Sequence, residues 1–275
     1  MKKAVVMGSF DDLRARDFRF LEEASKLGNL HVLLWSDETI QQVEGQQPKF
    51  PQAERMYILQ ALRYVAGVTL VTGPVERDAI PHVDTIQPDV WVVDEKNDTG
   101  PKRAYCAAHG IAYHVVAEDV LRRFPAASIE IEADEDGTPR KKVVVTGSFD
   151  WLHSGHVRFF EETAALGDLY VVVGHDDNIR LLKGEGHPLF PQNERRYMVQ
   201  SIRYVKQALI SSGHGWVDAE PEIARIKPDI YAVNEDGDRP EKRAFCEAHG
   251  LEYVVLKRLP KAGLPPRQST ALRGF

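Results

Sequence analysis

The chain of 275 residues contains only two cysteines, Cys106 and Cys246. Two thiols so far apart make neither a disulfide framework nor a clustered metal site. They stand in matching contexts, Arg103-Ala-Tyr-Cys106 and Arg243-Ala-Phe-Cys246, which reads as one buried helix position occurring twice. Long apolar runs are also lacking. Met1-Lys-Lys-Ala-Val-Val-Met-Gly8 leads straight into a strand-like segment with no signal-peptide core. The expectation is a cytoplasmic protein with no membrane span. Positive charge is in deficit too, with 35 Lys and Arg against 41 Asp and Glu, a net charge of −6 and a pI near 5.9. That speaks against nucleic acid as a partner, which wants a basic face, but leaves room for a local phosphate pocket. The remaining composition, 43% apolar and 28% charged, is that of a globular protein. At roughly 100–200 residues per domain, the length fits two domains.

What the chain does have is an internal repeat of domain length. Gly8-Ser-Phe-Asp11 returns as Gly147-Ser-Phe-Asp150, and Pro51-Gln-Ala-Glu-Arg-Met-Tyr57 as Pro191-Gln-Asn-Glu-Arg-Arg-Tyr197. Arg63-Tyr-Val65 matches Arg203-Tyr-Val205, and Lys102-Arg-Ala-Tyr-Cys-Ala-Ala-His-Gly110 matches Lys242-Arg-Ala-Phe-Cys-Glu-Ala-His-Gly250. One insertion near Glu185-Gly186-His187 accounts for a one-residue change in offset. The division expected is a first domain over 1–125, a linker over 126–140 and a second domain over 141–275. Ala133-Asp-Glu-Asp-Gly-Thr-Pro139 is acidic and turn-rich, as a linker should be. Ser128-Ile-Glu-Ile-Glu-Ala133 alternates and reads as a short extra strand.

Within the second copy the pattern predicts strands at Lys142–Thr146, Leu169–Val173, Asp229–Val233 and Tyr253–Leu256. Helices are predicted at Val157–Leu166 with Gly167 as a stop, at Asn193–Val205, and at Arg239–His249 stopped by Gly250. Alternating strands and helices imply α/β domains, each a Rossmann-like parallel sheet with helices on both faces. Ligands of such sheets sit beyond the carboxyl ends of the strands.

Directly after the first strand of the second copy comes Gly147-Ser-Phe-Asp-Trp-Leu-His-Ser-Gly-His156. Gly147 lets a phosphate chain approach the backbone, Ser154 is a candidate N-cap, and the helix start offers free amides to an anion. His153 and His156 are three residues apart, so both face one side of that start and can stabilise charge on a phosphate. The run resembles the signature of the cytidylyltransferase-like nucleotidyltransferases, G-x-F-D-x-x-H-x-G-H, at Gly147, Phe149, Asp150, His153, Gly155 and His156. Leu182-Lys183-Gly184 is similar to the family's lysine loop, Glu194-Arg195 to its arginine-bearing helix start, and Arg267-Gln-Ser269-Thr270 to its late Arg/Ser-Thr element. Only one residue separates Arg267 from Ser269, which is shorter than the family spacing, so Arg258 is an equal candidate for that arginine. Where many members carry Gly-Asp after the third strand, this chain has Asn234-Glu235-Asp236.

The resemblance implies nucleotidyl transfer from a nucleoside triphosphate, carried with Mg2+, to a phosphorylated small molecule, with pyrophosphate released. His153, His156, Lys183 and Arg267 are the expected catalytic residues. Gly147, Ser148, Phe149, Asp150, Gly155, Arg195, Glu235, Arg258, Ser269 and Thr270 are the expected nucleotide-binding residues, and no protein metal ligands are expected. CTP is the first expectation for the donor, acting on a phospho-alcohol, phospho-base or sugar phosphate, and ATP the alternative. The first copy has Arg14, Arg16 and Asp17 at the positions of His153, Gly155 and His156, and Glu44 at that of Lys183. It is expected to be non-catalytic and to pair with the second copy about a pseudo-two-fold axis within the chain; a homo-oligomer stays open. A retained weak anion site at Arg14 and Arg16 is a minor alternative. Two rivals are a non-catalytic nucleotide-binding regulator and a relative of class I aminoacyl-tRNA synthetases. The intact second signature disfavours the first, and the lack of a basic tRNA-binding domain disfavours the second.

Overall fold

A computed structural model describes residues 2–128, 130–132 and 140–272, without the side chain of Thr270. The chain forms two compact units, Met1–Phe124 and Pro125–Phe275. In the first, strands β1 (Lys3–Gly8), β2 (Asn29–Trp35), β3 (Val65–Val71), β4 (Val90–Asp94) and β5 (Ala112–Val116) form one sheet in the order β3-β2-β1-β4-β5. In the second, β6 (Lys142–Gly147), β7 (Asp168–Val173), β8 (Val205–Ile210), β9 (Ile230–Asn234) and β10 (Glu252–Leu256) are ordered β10-β9-β6-β7-β8. Read from the other edge, that is the same order, and all pairings are parallel. The α/β Rossmann-like expectation holds for each unit.

The central strands are nearly continuous runs of Val, Ile and Leu because they are covered on both faces. Val144, Tyr170, Val172, Tyr231, Val233 and Cys246 pack together in the second unit, and Val5, Leu33, Trp91, Val93 and Cys106 in the first. Both thiols are buried, and burial pushes each up to about 11, which leaves them inert packing groups.

Several element boundaries differ from the sequence expectation. The helix expected to run to Val205 spans Gln192–Gln200, and Val205 instead opens β8, an edge strand that periodicity merged with the helix. Ser201, donating its hydroxyl to the Tyr197 carbonyl, marks the change of direction. The presumed linker is partly packed on the second unit. Arg196 donates to the Pro125 carbonyl, the Gln207 side chain holds Glu130 O and Glu132 N, and Ile131 packs on the core. No strand forms at 130–132; Ile129 and 133–139 lie outside the described residues.

Gly167, expected as a helix stop, is needed for a different reason. A Cβ there would lie 2.0 Å from the Lys141 carbonyl oxygen, so the turn into β7 presses backbone on backbone. Gly28 stands against Lys2 in the same way. Gly167→Ala is expected to destabilise the protein by about 1–3 kcal/mol, the usual cost of overpacking, read as a lower urea midpoint. An unchanged midpoint would show that the turn relaxes freely.

Candidate functional site

The second unit's site begins where β6 ends. Gly147 pairs with Val173 at the tips of β6 and β7, and the chain then turns through Ser148 and Phe149. Phe149 has φ +46°, a left-handed conformation costly for an aromatic residue. Two buried groups hold that turn. The Asp150 carboxylate accepts the Leu189 and Phe190 amides at 2.7 and 3.1 Å. Arg195, 1% exposed, donates to the carbonyls of Ser148 (2.5 Å), Gly174 (2.8 Å) and Phe190 (2.8 Å) and to the Asp176 carboxylate (2.6 Å). The first unit repeats this scheme, with Asp11 on Lys49 N and Phe50 N, and Arg55 on the carbonyls of Ser9, Trp35 and Phe50 and on Asp37. Asp150 and Arg195, expected to touch nucleotide, thus also hold the loop itself through these bonds.

The helix Ser154–Ala164 starts at the rim of this turn. Its N-cap is His153, not Ser154 as expected: His153 Nδ1 accepts the Gly155 amide at 3.1 Å, and Ser154 is the first helical residue. Accepting through Nδ1 places the proton of a neutral imidazole on Nε2. Nε2 is buried and has no hydrogen-bond partner, and neither has Nδ1 of His156. The two rings stack at 4.0 Å, with Phe149 edge-on to His156 at 5.3 Å. Gly155 is required here, because a Cβ would come within 3.0 Å of the His153 ring. Burial, then Arg258 and Arg267, depresses His153 to about 3; burial, then His153, Arg258 and Lys183, holds His156 well below its ordinary value. Both imidazoles are neutral donors and acceptors among cations.

The cations come from three segments. Lys183 ends the helix Asp176–Lys183, rather than lying in a loop, and donates from Nζ to Ser148 Oγ at 2.7 Å. Arg258, just beyond β10, pairs with Asp236 and donates to the Arg267 carbonyl at 2.9 Å, while its amide reaches Glu235 at 3.4 Å. Arg258 and Arg267 both bear on His153, and Arg258 on His156 as well, so the two candidates stand as neighbouring cations. Glu235, expected to bind nucleotide, is exposed and accepts the Arg258 amide. Ser269 opens the helix Ser269–Leu272 and donates to the Trp151 carbonyl at 3.3 Å, which lays the chain's last helix on the signature loop. The side chain of Thr270 lies outside the described residues.

Two cavities of about 140 and 110 Å³ flank Gly155, Phe159, Asn234 and Arg258. The larger also touches Gly147, Ser148, His156 and Lys242. Lys242, which the sequence reading did not single out, is 8% exposed, donates weakly to Thr146 Oγ1 at 3.3 Å and is shifted down, mainly by burial. Its signal was present in the repeat, where Lys102 occupies the same position. Among the described residues, no three His, Cys, Asp or Glu side chains are grouped to hold an ion. No helix among them is long and apolar enough to cross a membrane.

Neutral imidazole donors and flanking cations around one helix start at the carboxyl edge of a parallel sheet define a protein built to receive a phosphate chain. The family model described as cytidylyltransferase-like matches residues 144–257. The FAD synthase of Ferroglobus placidus is 40% identical over 42% of this chain and 75% of its own length. Those of Methanocella paludicola and Pyrococcus horikoshii are 36% and 40% identical, over 47% and 45% of this chain and 90% and 84% of theirs. Among solved structures, a lipopolysaccharide core biosynthesis protein from Thermoplasma volcanium aligns with 44% of this chain and 99% of its own, at 26% identity and a TM-score of 0.39. The chain belongs to the cytidylyltransferase-like family of nucleotidyltransferases.

Two outcomes are expected. Arg195→Ala leaves Asp176 and three backbone carbonyls without their donor and should cost about 1–3 kcal/mol, measured by urea unfolding; Arg195→Lys, lacking the planar fork, should recover only part. The second concerns pH. Unfolded chain protonates both histidines as pH falls below about 6.5, whereas folded His153 resists until about 3. The folded state therefore loses stability as pH falls through that window and regains it as pH rises. Urea midpoints from pH 4.5 to 7.5 should slope more steeply in the wild type than in His153→Asn. Equal slopes would mean that the ring is not held neutral.

Proposed function

We propose that the second unit catalyses nucleotidyl transfer. A phosphate oxygen of the acceptor attacks the α-phosphorus of a nucleoside triphosphate, the bond to the bridging oxygen of the β-phosphate breaks, and pyrophosphate leaves with that electron pair. The observation that carries this is the stacked, neutral His153–His156 pair at a helix start beside Lys183, Arg258 and Arg267. The acceptor is already an anion, so the chain need not supply a strong base. Its work is positioning and charge stabilisation. The imidazole N–H groups donate to phosphate oxygens as charge shifts toward the leaving group. Lys183, Arg258 and Arg267 offset the charge of the β- and γ-phosphates, and Gly147 and Gly155 leave room for the chain to lie on the backbone. Ser269, with Thr270, closes on the same phosphates. Among the described residues no protein ligand set for a metal is grouped. Mg2+ would enter as a companion of the triphosphate and would supply positive charge there, beside Lys183, Arg258 and Arg267.

For the donor and acceptor, the relatives' name supports ATP and FMN. FAD is FMN whose phosphate carries an adenylyl group, so a chain similar to FAD synthases is read best as adenylyl transferring. The cytidylyl expectation keeps only the family's name behind it. The first unit, with Asp17 and Glu44 where His156 and Lys183 stand, is read as non-catalytic. A regulator without turnover is the less economical reading, since the second signature has all its fixed residues.

The test is pyrophosphate release, together with FAD formation from FMN, using ATP or CTP with Mg2+, in wild type and His156→Ala. ATP with FMN should yield both products, and the variant should lose roughly 10²–10³-fold in rate, as when an oxyanion donor is removed. Release only with CTP and a pool of phospho-alcohols, phospho-bases and sugar phosphates would keep the reaction and overturn the substrates. Release with no pair would overturn the reaction.

A further inference from the structure

The transfer reaction brings two anions together, and the cations assigned so far serve only one of them. Lys183, Arg258 and Arg267 are gathered about the imidazole pair, where the triphosphate is read to lie. An acceptor phosphate arriving there needs positive charge of its own, or repulsion keeps the reacting atoms apart.

Lys242 comes from a different element. It lies in the first turn of the helix Pro240–His249, which follows β9, and borders the 140 Å³ cavity together with Gly147, His156, Asn234 and Arg258. The residue is 8% exposed, yet its hydrogen bond to Thr146 Oγ1 is long, at 3.3 Å, and that oxygen is shared with the Tyr231 hydroxyl at 2.7 Å. Burial shifts the amine down, and Asp218 and Asp236 counter this; but Asp218 accepts the Ser211 hydroxyl at 2.6 Å and Asp236 pairs with Arg258. A buried ammonium so lightly met is costly unless an anion completes its shell.

The repeat supplies a control. Lys102 holds the equivalent place in the first unit and is 9% exposed, but it donates to the Asn97 carbonyl at 2.6 Å. Met7 and Asp94 border that unit's cavity where Thr146 and Asn234 border the second's. Asp94 is a carboxylate, tied to Arg16 at 2.7 Å and favouring the charged form of Lys102. Asparagine carries no charge and offers an amide donor instead. The unit with the histidines is thus the one whose lysine lacks a short bond and has no carboxylate at this position.

We propose that Lys242 receives the phosphate of the acceptor in this cavity and holds its attacking oxygen toward the α-phosphorus, with the Asn234 amide as a second donor. This rests on the transfer reaction assigned to the second unit. The new bond forms from that oxygen to the α-phosphorus and pyrophosphate leaves with the electron pair of the broken bond, while the ammonium keeps its proton. Lys242 therefore serves the acceptor and not the triphosphate.

Initial rates of pyrophosphate release from ATP with Mg2+ test this, with FMN or whichever pooled phosphate ester supports release in the wild type. Lys242→Met should raise the acceptor KM about tenfold, the loss of one charged hydrogen bond, with the ATP KM within about twofold and no fall in the thermal midpoint. Asn234→Asp, which introduces the first unit's residue, should raise the acceptor KM more than that of ATP. An acceptor KM that is unchanged in Lys242→Met, or rises no more than that of ATP, would overturn the proposal and leave the transfer reaction standing. Release with no acceptor in the wild type would overturn the reaction and the proposal with it. Should Lys242→Met fail to fold, an acceptor KM unmoved in Asn234→Asp would overturn the placement.

Discussion

One guanidinium in each unit sits among backbone carbonyls where the sheet gives way to the functional loop. Arg195 joins the turn after β6, the end of β7 and the start of the helix Gln192–Gln200, and Arg55 makes the same joins in the first unit. A planar fork with five donors is the side chain that can meet so many carbonyls at once. Without it, the left-handed turn at Phe149 would rest on Asp150 alone, since phenylalanine gains nothing from that conformation. The ring would then be free to leave His156, and the imidazole pair would lose one wall. The geometry of the loop around the imidazole pair thus depends on a cation engaged with the protein's own backbone.

The electrostatics of the pair follow from the same enclosure. Two imidazoles beside Lys183, Arg258 and Arg267 cannot readily carry charge of their own, and burial reinforces this. Positive charge is instead held by side chains with far higher proton affinity, and the histidines keep their directional N–H bonds. Asp236 and the Arg267 carbonyl hold Arg258 in place while its other face stays against the site.

Most of this architecture was legible in sequence because it is written in periodic or repeated residues. The two-unit division follows from a repeat, the sheets from short apolar runs, and the phosphate end from one ten-residue motif. What escaped is what depends on where a side chain's polar atoms go. Asp150 and Arg195 read as ligand contacts because they lie in or near motifs that touch nucleotide, yet their identity is set by carbonyls and amides some forty residues away. Ser154 reads as the cap because serine caps are common, but the imidazole before it reaches the Gly155 amide first. β8 was missed because Ile202, Tyr204 and Val205 continue an apolar pattern across a change of direction. Lys242 is one lysine among many until burial against Tyr231 and Thr146 distinguishes it.

The start of the helix Ala15–Ser25 in the first unit bears a consequence for how each half responds to its surroundings. Asp17 is an anion attached by covalent bonds to the positive end of its own helix. The second unit places a pair of neutral imidazoles at the equivalent start, beside Lys183 and Arg258. A fold that carries its counter-charge in its sequence has a stability indifferent to metabolite concentration, whereas one that must fetch it is stabilised by whatever fills the gap, in proportion to the logarithm of supply. The first unit thus carries its counter-charge with it, whereas a phosphate arriving at the second would add to that unit's folding stability.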